Sequence, residues 1–190
     1  MIHQIIPTRI GELHLGQFPE IEIPKGKLKN KVQREMVQVL LDKVFGEQVT
    51  IGYFDSGAPY LLEKPSWQIS ISHSSNRIVV YLSEQTAVGV DLQEIREGIY
   101  EGRSYFINET EEVNFAEELQ DAKTLLSIWC VKEAAYKLVK GISNAKHALV
   151  VSKGEGEDWV CRIANQDYRF KLQQLDHFLL VYNDLQAIES

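Results

Sequence analysis

Hydrophobic residues recur at intervals of three and four in two stretches of the chain, and this spacing predicts two long helices. The first runs over 28–44, with Gly46 after it as a helix stop. The second begins after Asp121, a favourable N-cap residue, and ends at Gly141. A shorter helical pattern over 108–119 precedes it. The apolar positions of the first helix are Leu28, Val32, Met36, Val39, Leu40 and Val44.

Short apolar runs bounded by turn residues predict β-strands. They lie at 50–54, 68–71, 78–82 and 87–91 in the first half, and at 148–151, 159–163, 168–172 and 178–182 in the second. Residues 1–22 alternate loosely and predict one or two further strands. Ser74-Ser75-Asn76 resembles a hairpin connection, so we expect antiparallel pairing.

The two halves share one order of elements, a long helix followed by antiparallel strands. This order predicts an α+β fold of two pseudo-symmetric lobes, residues 1–95 and 96–190, although no residue-level repeat is visible. No linker rich in Pro, Gly or Ser separates the halves. We therefore expect one compact body with a ligand cleft between its lobes.

The charge balance is acidic, with 27 Asp and Glu against 20 Lys and Arg and a net charge of −7. Nucleic-acid binding depends on clustered cations, so this balance argues against it. Two cysteines are too few for a disulfide framework, and no signal-peptide pattern opens the sequence. The apolar runs are far shorter than the ~20 residues that span a bilayer. We expect a cytoplasmic protein with no membrane segment.

Two strand ends carry polar groups suited to a ligand. Ser72 and His73 lie where a strand reaches a turn, and hydroxyls, turn amides and an imidazole can cradle a phosphate. The alternative is an ordinary hairpin whose serines satisfy their own backbone. Asp91 ends an apolar strand, where a carboxylate can ligate a hard cation, or serve simply as a turn or cap residue.

The second long helix carries charged residues on one face. Glu133 and Lys137 lie four residues apart, with Lys132 beside Glu133 and Trp129 one turn earlier. As an exposed pair, Glu133 and Lys137 would contribute only about 0.3 kcal/mol. As functional groups, Glu133 would bind a metal ion while Lys132 and Lys137 hold phosphates. We expect Trp129 to pack the helix against its lobe.

The first long helix begins with a basic stretch. Lys25, Lys27, Lys29, Lys31 and Arg34 lie at or near its N-terminus, where cations oppose the helix macrodipole. Such a placement is tolerable if an anionic ligand or an acidic partner docks there. The alternative is a solvated lysine face.

Four short segments, taken in order along the chain, form a recognisable pattern. They are Gly57-Ala58-Pro59-Tyr60-Leu61, Ile71-Ser72-His73-Ser74, Val88-Gly89-Val90-Asp91 and Trp129-x-x-Lys132-Glu133-x-x-x-Lys137. The pattern resembles the 4′-phosphopantetheinyl transferases, in particular the internally duplicated, surfactin-synthetase-activating type. The resemblance spans about residues 53–141 in its motifs and the whole chain in element order.

The resemblance implies an α+β transferase fold and a phosphoryl-transfer reaction. A serine hydroxyl of an apo acyl or peptidyl carrier protein attacks the β-phosphorus of coenzyme A, which gives holo carrier protein and adenosine 3′,5′-bisphosphate. By this resemblance Asp91 and Glu133 ligate Mg²⁺, or Mn²⁺ as an alternative, and act with Lys137 in catalysis. Either Glu133 or a metal-bound water is the base.

The resemblance also assigns contacts to the substrates, and the chain departs from the family at one metal ligand. Ser72, His73, Lys132 and Lys137 would contact the phosphates of coenzyme A. Lys31 and Arg34 would serve its 3′-phosphate or the carrier protein. Many members carry a second acidic ligand two residues after the first metal Asp, whereas this chain has Gln93. A Gln oxygen can coordinate, but the site loses one negative charge.

Two alternatives to a transferase stay open from the sequence. One is a catalytically silent homologue that binds coenzyme A or carrier proteins, which Gln93 favours and Asp91, Glu133, Lys132 and Lys137 oppose. The other is an unrelated α+β enzyme or nucleotide-binding module, although no glycine-rich nucleotide motif is present. An internally duplicated body predicts a monomer.

Overall fold

The computed structural model describes residues 1–19, 27–96, 98–140, 142 and 145–184. The described residues form α-helices and antiparallel β-sheets, which confirms the mixed α+β class. They divide into two compact units, Met1–Val88 and Gly89–Ser190. Within the described part of the chain, no helix combines the length and apolar character needed to cross a membrane.

The N-terminal unit combines one long helix with a four-stranded sheet and a small hairpin. Helix α1 spans Lys27–Phe45, and the sheet has the order β1-β2-β6-β5. Its strands are β1 (Ile2–Pro7), β2 (Glu12–Gln17), β5 (Gln68–Ser74) and β6 (Arg77–Ser83). The hairpin pairs β3 (Ile51–Tyr53) with β4 (Pro59–Leu61). The predicted connection at 74–76 is confirmed as a tight turn between β5 and β6.

The apolar stripe of α1 forms the core of this unit. Met36, Leu40 and Leu41 are buried against Ile78 and Val80 of β6. Val39, predicted on the stripe, is 51% exposed, and Val37 is buried instead. Val37 lies one turn before Leu40 and Leu41 and is buried with them. The buried face of α1 therefore includes Val37 in place of Val39 and is rotated slightly from the predicted face.

The C-terminal unit contains a five-stranded sheet of order β7-β11-β10-β9-β8. Its strands are β7 (Val90–Glu94), β8 (Leu149–Lys153), β9 (Trp159–Ile163), β10 (Gln166–Leu175) and β11 (Phe178–Asn183). Its helices are α2 (Ile99–Phe106), α3 (Glu109–Asn114), α4 (Ala122–Val139) and α5 (Ala145–Ala148), with a 3₁₀ turn at Glu118–Gln120. Helix α4 packs mainly on β7 and β11.

Helix α4 begins where the sequence predicts. The Asp121 side chain accepts a hydrogen bond from the Thr124 backbone N–H at 2.8 Å, which confirms the N-cap. At the other end Lys140 adopts the left-handed conformation with φ 52°. The predicted stop, Gly141, lies outside the described residues.

The segment between β7 and α4 differs from the prediction of one helix over 108–119. Helix α2 precedes that range, and α3 ends at Asn114. Asn108 and Glu111 form a reciprocal capping box that starts α3. The box confirms the predicted start at Asn108, whereas the helix ends early, at Asn114, and a 3₁₀ turn at Glu118–Gln120 follows it.

Strand β7 also begins later than the predicted run at 87–91. Its pairing with β11 runs from Val90 opposite Tyr182 to Glu94 opposite Phe178. Because β7 is a strand of the C-terminal sheet, it belongs to the second unit, and the division falls after Val88. The order of elements in the sequence predicts this division after residue 95 instead.

Candidate active site around Asp91, Glu133 and Lys137

A buried ion pair links β7 to α4. Asp91 is 1% exposed, and its Oδ1 accepts a hydrogen bond from Lys137 Nζ at 2.7 Å. Lys137 also donates to the Val90 carbonyl at 3.1 Å. The helix thus places one cation against the strand that carries the carboxylate.

Glu133 lies one helical turn before Lys137 and is coupled to the same pair. Burial raises the pKa of its carboxyl, the nearby Asp91 carboxylate raises it further, and Lys137 lowers it. Two carboxylates and one lysine therefore share a partly buried region. The predicted association of Asp91, Glu133 and Lys137 corresponds to this arrangement.

Cys130 lies beside the same carboxylate and is fully buried. Burial raises the pKa of its thiol well above the ordinary value, and the charge of Asp91 and a hydrogen bond with it raise it further. A thiol this reluctant to ionise is not a nucleophile. Cys130 acts as a neutral packing neighbour of Asp91.

Gly89 allows the start of β7 to approach α4 closely. A Cβ at this position would lie 2.1 Å from the Ala134 carbonyl oxygen and 2.8 Å from Leu138 Cβ. On the sheet side, the Gly89 N–H donates to Asn183 Oδ1 at 2.7 Å, and the Asn183 N–H donates to the Gly89 carbonyl at 3.3 Å. This double contact fixes the backbone two residues before Asp91.

We expect Gly89→Ala to destabilise the protein by about 1–3 kcal/mol, because the added methyl group meets helix backbone that cannot move freely. Chemical denaturation measures the loss. The matched control is Gly102→Ala in α2, where an added Cβ meets nothing within 4 Å. That change should be neutral or should stabilise the helix by about 0.5–1 kcal/mol. Equal effects of the two substitutions would contradict the packing role of Gly89.

Lys132, to which the resemblance assigns a phosphate contact, has an internal partner instead. Its side chain is 5% exposed, and Nζ lies 2.7 Å from Glu111 Oε2. Nζ also donates to the Phe106 carbonyl at 2.6 Å. Because its charge is already compensated inside the unit, this geometry does not support a phosphate contact by Lys132.

Glu111 connects several elements of the C-terminal unit. Its carboxylate is fully buried and accepts from Lys132 through Oε2, from the Asn108 N–H at 3.1 Å and from the Val151 N–H at 2.8 Å. It therefore ties the start of α3 to β8 and to α4.

Gln93 shares a strand face with Asp91, since alternate residues of a strand point the same way. It is partly buried and lies directly opposite Leu179 of β11. An amide oxygen two residues from Asp91 on this face can supply a neutral ligand.

Ser72 and His73 project to opposite faces of β5 in the N-terminal unit, because they are consecutive strand residues. Ser72 is buried opposite Val79, whereas His73 is exposed opposite Ile78. Their side chains therefore do not meet on one face of the strand.

Lys31 and Arg34 occupy the first half of α1. Lys31 Nζ lies 3.8 Å from Glu35 in an exposed helix pair. The Arg34 guanidinium lies 5.7 Å from the centre of the Tyr53 ring. Lys25 and the side chains of Lys27 and Lys29 lie outside the described residues.

The donor set around Asp91 fits a magnesium ion in its chemistry. Asp91, Glu133 and Gln93 offer oxygen donors, which Mg²⁺ prefers. A cation would offset the burial and the repulsion from Asp91, which together raise the pKa of Glu133. Among the described residues, no three His, Cys, Asp or Glu side chains converge on a metal position. Phosphate oxygens and water would therefore complete the coordination.

Sequence reasoning missed Glu111, Asn183 and Cys130 as supports of this region. Asn183 ends an apolar strand with a buried amide, and an isolated polar residue at such a strand end is a usable signal. Neither a protein-family model nor a curated protein sequence matches this chain.

Proposed function

We propose that this chain is a cytoplasmic 4′-phosphopantetheinyl transferase, which moves phosphopantetheine from coenzyme A to a serine of an apo carrier protein. The coupling of Asp91, Glu133 and Lys137 is the observation that carries the proposal. The motif resemblance supports it, and so does the presence in each unit of a long helix against an antiparallel sheet.

In this proposal, a cationic and an anionic side chain of the C-terminal unit have different roles. Lys137 supplies the cation next to Asp91 and is 25% exposed, so it can donate to a phosphate oxygen while it remains near the strand. Glu133, with its raised pKa, is suited to accept the proton of the attacking serine hydroxyl.

Mg²⁺ held by Asp91 and Glu133, with Gln93 as a neutral third donor, would neutralise charge on the pyrophosphate. The protein contributes positioning, since phosphoryl transfer demands little covalent chemistry from side chains. Lys132 holds the helix that carries Glu133 through its buried pair with Glu111.

The N-terminal unit contributes cations and polar groups in this proposal. Exposed Lys31 and Arg34 are available to an anionic group such as the 3′-phosphate of coenzyme A or an acidic carrier protein. Of the β5 pair, His73 is the residue exposed to solvent. These contacts rest on the motif resemblance.

Intact mass spectrometry tests the reaction directly. An apo acyl carrier protein, incubated with this protein, coenzyme A and Mg²⁺, should gain the mass of one phosphopantetheinyl group. The gain should disappear when the target serine of the carrier is replaced by alanine. Coenzyme A binding without transfer to several unrelated carrier proteins would instead favour a silent homologue.

Gln93→Glu should raise the transfer activity at low Mg²⁺ concentrations, because it restores a negative charge beside Asp91 and so tightens Mg²⁺ binding. We expect a lower half-saturating Mg²⁺ concentration and a changed ratio of Mg²⁺ to Mn²⁺ activity. Titration of transfer rate against each metal measures both. Identical titration curves for wild type and variant would show that residue 93 does not contribute to metal binding.

Glu133→Gln should stabilise the metal-free protein at neutral pH. The folded pKa of Glu133 is raised above its unfolded value, so its ionisation opposes folding. The penalty is absent below the unfolded pKa, grows between the unfolded and the folded pKa, and is complete above the folded pKa. The variant should therefore unfold at a higher temperature at pH 7 and match the wild type near pH 4. A variant that is less stable at pH 7 without metal would contradict this expectation.

A further inference from the structure

Two histidines form a hydrogen bond across the neighbouring strands β1 and β2 of the N-terminal sheet. His3 Nε2 lies 3.2 Å from His14 Nδ1, with the ring centres 5.4 Å apart. His14 is 4% exposed, whereas His3 is half-buried. This pair lies apart in sequence from every motif of the proposed transferase.

The strand register explains why the two imidazoles meet. His3 is directly opposite Gly16, and His14 is directly opposite Ile5, so the histidines are diagonal neighbours on one face. Gly16 places no side chain between them. Each ring can therefore reach the other across the strand pair.

Glu12 lies on the side of the His14 ring that faces away from His3. Its Oε2 lies 3.4 Å from His14 Nε2, two residues away on the same face of β2. A carboxylate there favours a proton on Nε2, so His14 Nδ1 accepts the hydrogen bond that His3 Nε2–H donates. Carboxylate–imidazole pairs of this kind commonly orient histidine ligands of metals.

Charged side chains of both signs act on the two rings, the Lys43 ammonium on His3 and the Glu12 carboxylate on His14. Lys43, from α1, opposes a cation at this place, while Glu12 attracts one.

We propose that His3 Nε2 and His14 Nδ1 form a binding site for a divalent transition-metal ion of the Zn²⁺ class, with Glu12 orienting His14. Two imidazole nitrogens on one tetrahedral Zn²⁺ lie about 3.3 Å apart, given Zn–N bonds of about 2.0–2.1 Å. The observed separation of 3.2 Å is close to this value, and the metal ion would replace the proton that the two nitrogens now share in their hydrogen bond. No third His, Cys, Asp or Glu of the described chain completes the set, so water or an external ligand fills the other positions.

A metal ion bound by His3 and His14 would cross-link β1 to β2. Strand β1 is one of the two outer strands of its sheet, and among the described strands it pairs with β2 alone. Metal binding to the folded state stabilises it by mass action, so the site would protect this edge from opening. The site is chemically distinct from the proposed Mg²⁺ site, because imidazole suits Zn²⁺ whereas Mg²⁺ prefers oxygen.

Titration of the metal-free full chain with ZnCl₂ by calorimetry, with excess Mg²⁺ to fill carboxylate sites, tests the proposal. We expect one equivalent of Zn²⁺ in the wild type and none at these positions in His3→Ala or His14→Gln. Glu12→Gln should weaken binding by about 10–100-fold. Co²⁺ should give the visible absorption bands of a tetrahedral nitrogen-ligated ion in the wild type.

His177→Ala is the matched control, because His177 lies 3.7 Å from Glu94 and has a carboxylate neighbour like that of His14. It should bind Zn²⁺ as the wild type does. If His14→Gln does not fold, half-buried His3→Ala decides the outcome. Absence of binding in the wild type, or an unchanged equivalent in His3→Ala or His14→Gln, would overturn the site.

Discussion

Asp91→Ala and Glu133→Ala should each lower the rate of phosphopantetheine transfer by at least about 10²-fold, the lower range for losing a catalytic proton acceptor. Asp91→Ala removes the partner of Lys137. Under the proposed function it also removes the anchor of the metal ion, and Glu133→Ala removes the base or second ligand. Single-turnover transfer to an apo carrier protein, followed by mass spectrometry, measures the rate.

The control is Glu118→Gln, which removes a carboxylate of the same unit. Glu118 forms an exposed pair with Lys153 at 3.8 Å and should leave transfer unchanged. Circular dichroism of each variant establishes that it is folded. Undiminished transfer by a folded Asp91→Ala or Glu133→Ala protein would refute the assignment of the site.

Glu111→Ala should destabilise the protein by about 3–5 kcal/mol, since it leaves the Lys132 ammonium buried without its counterion. It also removes the acceptor for the Val151 and Asn108 N–H groups. Denaturant unfolding measures the change. This is the largest stability effect we expect from any single substitution considered.

Asp167→Ala provides the comparison for Glu111→Ala. Asp167 pairs with Arg162 at 2.7 Å on the surface of the same unit, where the arginine side chain is 63% exposed. Its loss should cost no more than about 1 kcal/mol. Equal costs for the two carboxylates would show that burial does not set the strength of the Lys132 pair.

Lys132→Met separates the two roles discussed for Lys132. A structural cation predicts lower stability with an unchanged KM for coenzyme A at a temperature where the variant is folded. A phosphate ligand predicts a raised KM. A raised KM with unaltered stability would restore the phosphate contact that the motif resemblance implies.

The long helices could be predicted from the sequence because their signals are local. The apolar spacing of α1 and the Asp121 cap of α4 are each set by residues that lie a few positions apart within the same helix. The motif resemblance also singles out Asp91, Glu133 and Lys137 from the sequence. That these three side chains interact is seen only once β7 packs on α4.

The role of Lys132 could not be predicted in the same way. Its partner Glu111 lies 21 residues earlier, in a segment whose helices were assigned differently from sequence. Neither residue carries a local sign of burial, because Lys and Glu are usually exposed. Only the tertiary contact shows that both are internal.

The two cysteines are natural probes for opening of the C-terminal unit. Both Cys130 and Cys161 are buried and free, and the remaining sequence contains no other thiol. Burial raises the pKa of Cys161 to about 12, so neither side chain reacts while the unit is closed. Alkylation would therefore proceed only through opened molecules, and its rate would time the opening of the sheet and helix that hold Asp91 and Glu133, without any introduced label.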